Sequence, residues 1–176
     1  MIFEQTALAG AVLVRPERHA DERGWFARSF CENEFASQGL PSRFVQCNIS
    51  ANARRGGLRG MHYQAEPSPE GKLVRCTHGA IYDVIVDLRR DSPSHANWVG
   101  VELSRDNAVA LYIPPGFAHG FQTLHDDSDV LYYMTEFYAP DLARGVRWND
   151  PAFGIVWPIA DATMSARDAA YPDYIA

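Results

Sequence analysis

The chain has 176 residues, with 16 Lys and Arg against 22 Asp and Glu, for a formal charge of −6. A domain typically takes ~100–200 residues, so one domain over 1–176 is expected. The 47% hydrophobic and 22% charged content is globular and excludes disorder. The acidic balance argues against a nucleic-acid protein, which needs a basic face, though not against an arginine cluster for one phosphorylated small molecule.

Three cysteines, Cys31, Cys47 and Cys76, have no metal-like spacing and are expected as reduced, buried thiols. The N-terminus carries no basic stretch followed by an apolar run, and no segment approaches ~20 consecutive apolar residues. A cytoplasmic protein without membrane contact is expected. One detail is hidden by the sum: fifteen of the basic residues are arginines and only Lys72 is a lysine. Coding bias accounts for that, and so does a site needing a compact ammonium rather than a planar guanidinium.

In chain order, Ala11–Arg15 and Gly24–Ser29 look extended. Glu32–Gln38 fits a short helix ended by Gly39, and Phe44–Ser50 is extended again. Gly56–Gln64 is extended and glycine-rich, with Arg59 and His62 three apart. Lys72–Thr77 precedes Ile81–Leu88, and His78-Gly79 reads as a hairpin turn between them. Within Ile81–Leu88, alternation sets Tyr82, Val84, Val86 and Leu88 on one face and Ile81, Asp83, Ile85 and Asp87 on the other. Trp98–Leu103, Ala110–Ile113, Phe121–Leu124 and Val130–Tyr138 follow, the last two joined by an acidic turn. Ser165–Ala170 suits a second short helix, with Ser165 as N-cap and Pro172 beyond its end.

Many short strands with little helix mean an all-β sandwich or barrel, and this length fits a jelly roll. The polar residues Asp83, Asp87 and Arg75 are expected on an inward face. Such a face either lines a ligand cavity or is the solvent side of its sheet, and alternation alone does not separate the two.

Three segments carry chemistry-bearing residues. The first holds Arg59, His62 and, ten residues on, Lys72. The second, Pro114–Phe121, resembles the second cupin motif, in which the histidine, here His119, is often a metal ligand. The first cupin motif wants two histidines one residue apart, and Gln64 stands where the second would be. Glu66 or Glu70 could supply a carboxylate, but three or four convergent ligands are needed, so no metal and no cofactor are expected. The third is Leu131–Tyr138, where Tyr132 matters only if its hydroxyl shares a cavity with His62.

Taken together, these segments resemble the dTDP-4-dehydrorhamnose 3,5-epimerase family. The matching stretches are Asp21–Phe26, Phe44–Asn48, Gly56–Gln64, Glu70–Pro93, Trp98–Ser104, Leu111–Leu124, Leu131–Pro140 and Trp148–Pro158. They cover nearly the whole chain in order. The resemblance implies a cupin-type jelly roll acting on a nucleotide-linked 4-keto-6-deoxyhexose in deoxysugar biosynthesis. A proton would leave and return at C3, C5 or both, through an enolate. By the same resemblance His62 is the base, Lys72 faces the C4 oxygen, Tyr132 delivers the opposite proton, and Asp168 pairs with the histidine. It implies substrate contacts from Arg23, Phe26, Gln46, Asn48, Arg59, His119 and Tyr138, with Asp83 behind them. It also implies a homodimer that exchanges an N-terminal strand and brings Arg23 to the neighbouring subunit.

Three departures stand out. The family has glutamate where this chain has Arg28, QDNHS where it has Gln46-Cys47-Asn48-Ile49-Ser50, and mostly lysine where it has Tyr133. The resemblance makes a dTDP-linked sugar the expected substrate, while Arg28, Cys47 and Ile49 leave the base preference open, including a variant deoxysugar pathway with another base. The competing expectations are a metal-dependent cupin using His62, His119 and a glutamate, a mono-epimerase, and a sugar-binding module.

Overall fold

The computed structural model describes residues 1–175. Thirteen strands form the framework. They are β1 (Ile2–Gln5), β2 (Val12–Arg15), β3 (His19–Asp21), β4 (Gly24–Phe26), β5 (Gln46–Asn52), β6 (Leu58–Gln64) and β7 (Lys72–His78). Then come β8 (Ala80–Asp87), β9 (Trp98–Ser104), β10 (Ala110–Ile113), β11 (Phe117–Thr123), β12 (Ser128–Met134) and β13 (Ala143–Gly145). Helices α1 (Glu32–Ser37) and α2 (Ala166–Ala169) are short. One antiparallel sheet runs β1-β2-β10-β7-β12-β5 and a second runs β13-β6-β11-β8-β9. The ribbon β3-β4 stands apart from both. This is the expected all-β jelly-roll sandwich.

The two sheets close on a core of Val74, Cys76, Ile81, Ile85, Leu111, Phe121 and Val130, among others. Their outer faces are covered too. Helix α1 presses Phe35 onto Leu73 and Tyr112 of the six-stranded sheet, with Phe30, Phe44 and Tyr133 packed around it. Across the other sheet, Val146, Phe153 and Trp157 of the C-terminal segment lie over Val84 and Val86. Double coverage explains why β8 and β11 are buried almost throughout, a pattern that belongs to strands with no solvent face.

Several expectations need correction. His78-Gly79 is not a hairpin turn. Strand β7 belongs to the first sheet and β8 to the second, so the chain crosses the sandwich there, with Gly79 at φ +69°. The acidic turn crosses in the same way between β11 and β12. Extended structure after Gly24 stops at Phe26, and that after Val130 stops at Met134. Arg75 shares its face of β7 with outward-packed Leu73 and donates to the Ser29 carbonyl, away from the interior. Asp87 is inward but closes a loop: it accepts from Arg89, Ser92 and Ser94. The short helices appear as expected, with the Ser165 Oγ accepting from the Asp168 N–H at 3.1 Å. None of the described helices is long and apolar enough to cross a membrane.

Candidate active site

Interior positions turn polar at one end of the sandwich and enclose a cavity of about 400 Å³. From the six-stranded sheet come Gln46, Asn48, Lys72 and Tyr132; register sets Tyr132 between Asn48 and Val74, and Met134 beside Lys72. From the other sheet come Arg59, His62 and His119, with His62 directly opposite His119.

Arg59 and His62 are three apart, and a regular strand would send them to opposite faces. The pairing of β6 with β11 solves this. His119 pairs with His62 and Phe121 with Arg59, so β6 carries one extra residue between the pairs. This β-bulge turns both side chains into the same cavity. It needs glycines on both strands, because a Cβ on Gly60, at φ +144°, would lie 2.6 Å from the Gly120 Cα.

Asp168 Oδ1 lies 2.8 Å from His62 Nε2. The carboxylate accepts that N–H, which fixes the tautomer and leaves Nδ1 as the basic nitrogen. Asp168 is itself buried and is placed by its Ser165-capped turn. Burial pushes the His62 pKa down, Asp168 pulls it back up, and Lys72 and His119 push it down again; the net direction is down. The imidazole is therefore neutral near pH 7, as a base must be. The His62 side chain, 42% exposed, lines the cavity.

Lys72 is 6% exposed, and its Nζ lies 3.0 Å from Glu70 Oε1 and 3.3 Å from the His62 carbonyl. A buried ammonium needs such a counter-charge. Tyr132 lies edge-on to His119, with ring centroids 6.1 Å apart. Burial, and then the nearby Asp83 carboxylate, push the Tyr132 phenol far above its ordinary range. It stays protonated and can act as a donor. Asp83 Oδ2 accepts from His119 Nε2 at 2.9 Å, while its buried Oδ1 has no partner among the described residues. Asp83 thus sits behind His119 rather than on the cavity surface.

The structure brings His62, Lys72, Tyr132 and Asp168 into one cavity, together with Gln46, Asn48, Arg59, His119 and Tyr138. It does not bring Arg23 or Phe26 there. Both lie on the β3-β4 ribbon, where Arg23 pairs with Asp21 and Phe26 is 75% exposed. Of the departures only Ile49 lines the cavity. Tyr133 packs on Phe44, Cys47 is exposed, and Arg28 is held by Glu34 at 2.6 Å. The first cupin position occupied by Gln64 is engaged with backbone: its Nε2 donates to the Ser68 and Phe137 carbonyls and its Oε1 accepts from Ala139. Sequence reasoning missed Arg167 and Tyr171 on the C-terminal segment, and saw Glu70 only as a metal ligand. The polar i, i+2 spacing of Glu70 and Lys72 was the one available signal for that pair.

Comparison with known proteins gives the family. A family model described as dTDP-4-dehydrorhamnose 3,5-epimerase matches residues 5–175. The protein of that name from Methanothermobacter thermautotrophicus is 47% identical over 169 residues, covering 94% of this chain and 90% of the relative. The Bacillus anthracis enzyme, whose crystal structure holds TDP and pyrophosphate, superposes with a TM-score of 0.96 at 40% identity, covering 98% of this chain and 99% of the other. The Legionella pneumophila enzyme, in complex with dTDP-4-keto-L-rhamnose, gives a TM-score of 0.92 at 37% identity, covering 98% and 92%. This chain belongs to the dTDP-4-dehydrorhamnose 3,5-epimerase family.

Proposed function

We propose that the protein epimerises a dTDP-linked 4-keto-6-deoxyhexose at C3 and C5 without a cofactor. The observation that carries this reading is the division of labour across the sandwich. His62, backed by Asp168, stands on one sheet; Tyr132 stands on the other, beside Lys72. A sugar between the sheets meets a base on one face and a proton donor on the opposite face.

Both carbons are α to the C4 ketone. His62 Nδ1 removes the proton, the C–H electron pair moves into the ring, and the ketone oxygen becomes an enolate oxyanion. The Lys72 ammonium, itself buried, meets that charge. Tyr132 returns a proton from the other face, which inverts the centre. The phenolate and the imidazolium are then reset by exchange with solvent, so nothing is oxidised or reduced. Arg59 suits the diphosphate, since a guanidinium fork matches phosphate oxygens, and Gln46, Asn48 and Tyr138 line the remaining wall.

Arg23 and Phe26 fit the same reading if they serve a neighbour. Their ribbon is hydrogen-bonded into neither large sheet and leaves Trp25 and Phe26 exposed, while β5 is an edge strand with Ile49 exposed. We read this as a homodimer in which the N-terminal ribbon completes the partner's cavity. Three free thiols suit a reducing compartment and so the cytoplasm. Titration calorimetry with dTDP, CDP, UDP and GDP tests the nucleotide: tightest binding of dTDP is expected, and preference for another base overturns this assignment. Sedimentation of the wild type tests the dimer, and loss of dTDP affinity in Arg23→Ala tests the exchanged arm.

A further inference from the structure

Gly145 lies on β13 directly opposite His62 on β6. Side chains of such a cross-strand pair normally touch, but Gly145 has none. The space is taken by Tyr171: an ideal Cβ on Gly145 would lie 2.5 Å from the Tyr171 ring. That ring meets the His62 imidazole edge-on, with centroids 5.7 Å apart and planes at 68°. The Arg167 guanidinium lies 5.9 Å from the centre of the Tyr171 ring. Tyr171 follows Asp168 by three residues, so one short segment reaches the base twice.

We propose that Tyr171 is a positioning residue for His62, its ring occupying the gap left by Gly145 and holding the imidazole in the plane that Asp168 orients. A hydrogen bond to Nε2 fixes one atom of the ring and still permits the ring to swing about it. The Tyr171 edge removes that freedom. It also keeps water off one side of the base, where burial is the largest influence on its protonation. The other groups facing the His62 cavity are Asp168 and Arg167 on the C-terminal segment, Arg59 and Tyr63 on β6, Arg144 on β13, Lys72 with Glu70 beside it, Tyr132 on β12, Tyr138 beyond it, and His119 with Asp83 behind it. Of these, Arg167 is in contact with Tyr171, so Tyr171→Phe, which keeps the ring against the guanidinium, controls for its displacement.

The kinetic consequence rests on the epimerase reading; the effect on the imidazole does not. The test follows the His62 ring by two-dimensional proton–nitrogen NMR across pH, in parallel with steady-state kinetics. In Tyr171→Ala the base is wetter, so its pKa rises and the acid limb of kcat/KM moves to higher pH. Loosened alignment lowers kcat roughly tenfold, within the ~10²-fold cost of a full 1 Å misplacement. Tyr171→Phe keeps the ring and restores the parent titration. Gly145→Ala displaces Tyr171 and reproduces the rise, yet adds nothing in a Tyr171→Ala background. An unmoved His62 titration in Tyr171→Ala, a raised KM at unchanged kcat, or additive effects of the two substitutions would overturn the proposal. Absence of any turnover in the wild type would sink the epimerase reading, while the NMR titration still decides the role of Tyr171.

Discussion

Replacing Lys72 by arginine keeps the charge and tests whether an ammonium is required. The side chain is enclosed: Met134 and Ile113 are its cross-strand neighbours, and its Nζ is fixed by Glu70 at 3.0 Å and the His62 carbonyl at 3.3 Å. The backbone beneath it has no slack, since even a Cβ on Gly71 would lie 3.3 Å from the Ile113 carbonyl, Pro115 and Thr135. A guanidinium is longer and planar, so it either overpacks this pocket, at about 1–3 kcal/mol of stability, or projects past the oxyanion position. Losing one oxyanion partner costs about 2.7–4 kcal/mol of transition-state stabilisation, or ~10²–10³ in kcat. Lys72→Arg is therefore expected to remain folded, with turnover down at least ~10²-fold and dTDP binding little changed. Steady-state turnover, a thermal melt and dTDP calorimetry on the same preparation check this. Turnover within about threefold of the parent, less than ~1 kcal/mol of transition-state energy, would return the lone lysine to coding bias.

Asp168→Asn removes the group that raises the His62 pKa. The acid limb of kcat/KM should move to lower pH, opposite to Tyr171→Ala, while the plateau falls by ~10²–10⁴-fold as in other misoriented histidine bases; a limb moving upward contradicts the assignment. Tyr132→Phe should retain solvent deuterium exchange at the abstracted carbon but lose inversion by about 10²–10⁴-fold, the usual worth of a general acid. Equal loss of exchange and inversion would remove Tyr132 from the donor role. Burial pushes the Asp87 carboxyl up, but the hydrogen bonds from Arg89, Ser92 and Ser94 outweigh it and hold it below the ordinary range. Its stabilisation is thus present above the unfolded pKa of ~3.9 and lost as pH falls through the lower folded value. Asp87→Ala should cost about 3 kcal/mol in urea unfolding at pH 7, the low end for breaking a buried pair, and leave kcat intact.

Local pattern carried the strands because β-branched residues alternate with period two, most plainly in β8, where Asp83 and Ile85 do face inward with Ile81. It failed at His78-Gly79 because a sheet-to-sheet crossing and a hairpin use the same turn residues, and only the partner of each strand tells them apart. It failed at Arg75 because both faces of the six-stranded sheet are covered, so a polar side chain on β7 had two buried directions open to it. The proposed catalytic set was legible through resemblance rather than physics. His62 and Asp168 lie 106 residues apart, and nothing local foretells their 2.8 Å contact. Even so, the Ser165 cap that aims Asp168 was readable from its own turn. Tyr171 had no signal, since its role depends on the side chain that Gly145 lacks on a different strand.

Proton transfer by His62 at the carbons flanking the C4 ketone is read by proton NMR of dTDP-4-keto-6-deoxyglucose in deuterated water, following C3 and C5 separately with wild type and His62→Ala. Deuterium is expected at both centres with the wild type and none above background with the variant, at matched dTDP binding. Exchange that persists in His62→Ala, or a wild type that exchanges neither centre, would remove His62 from the role of base.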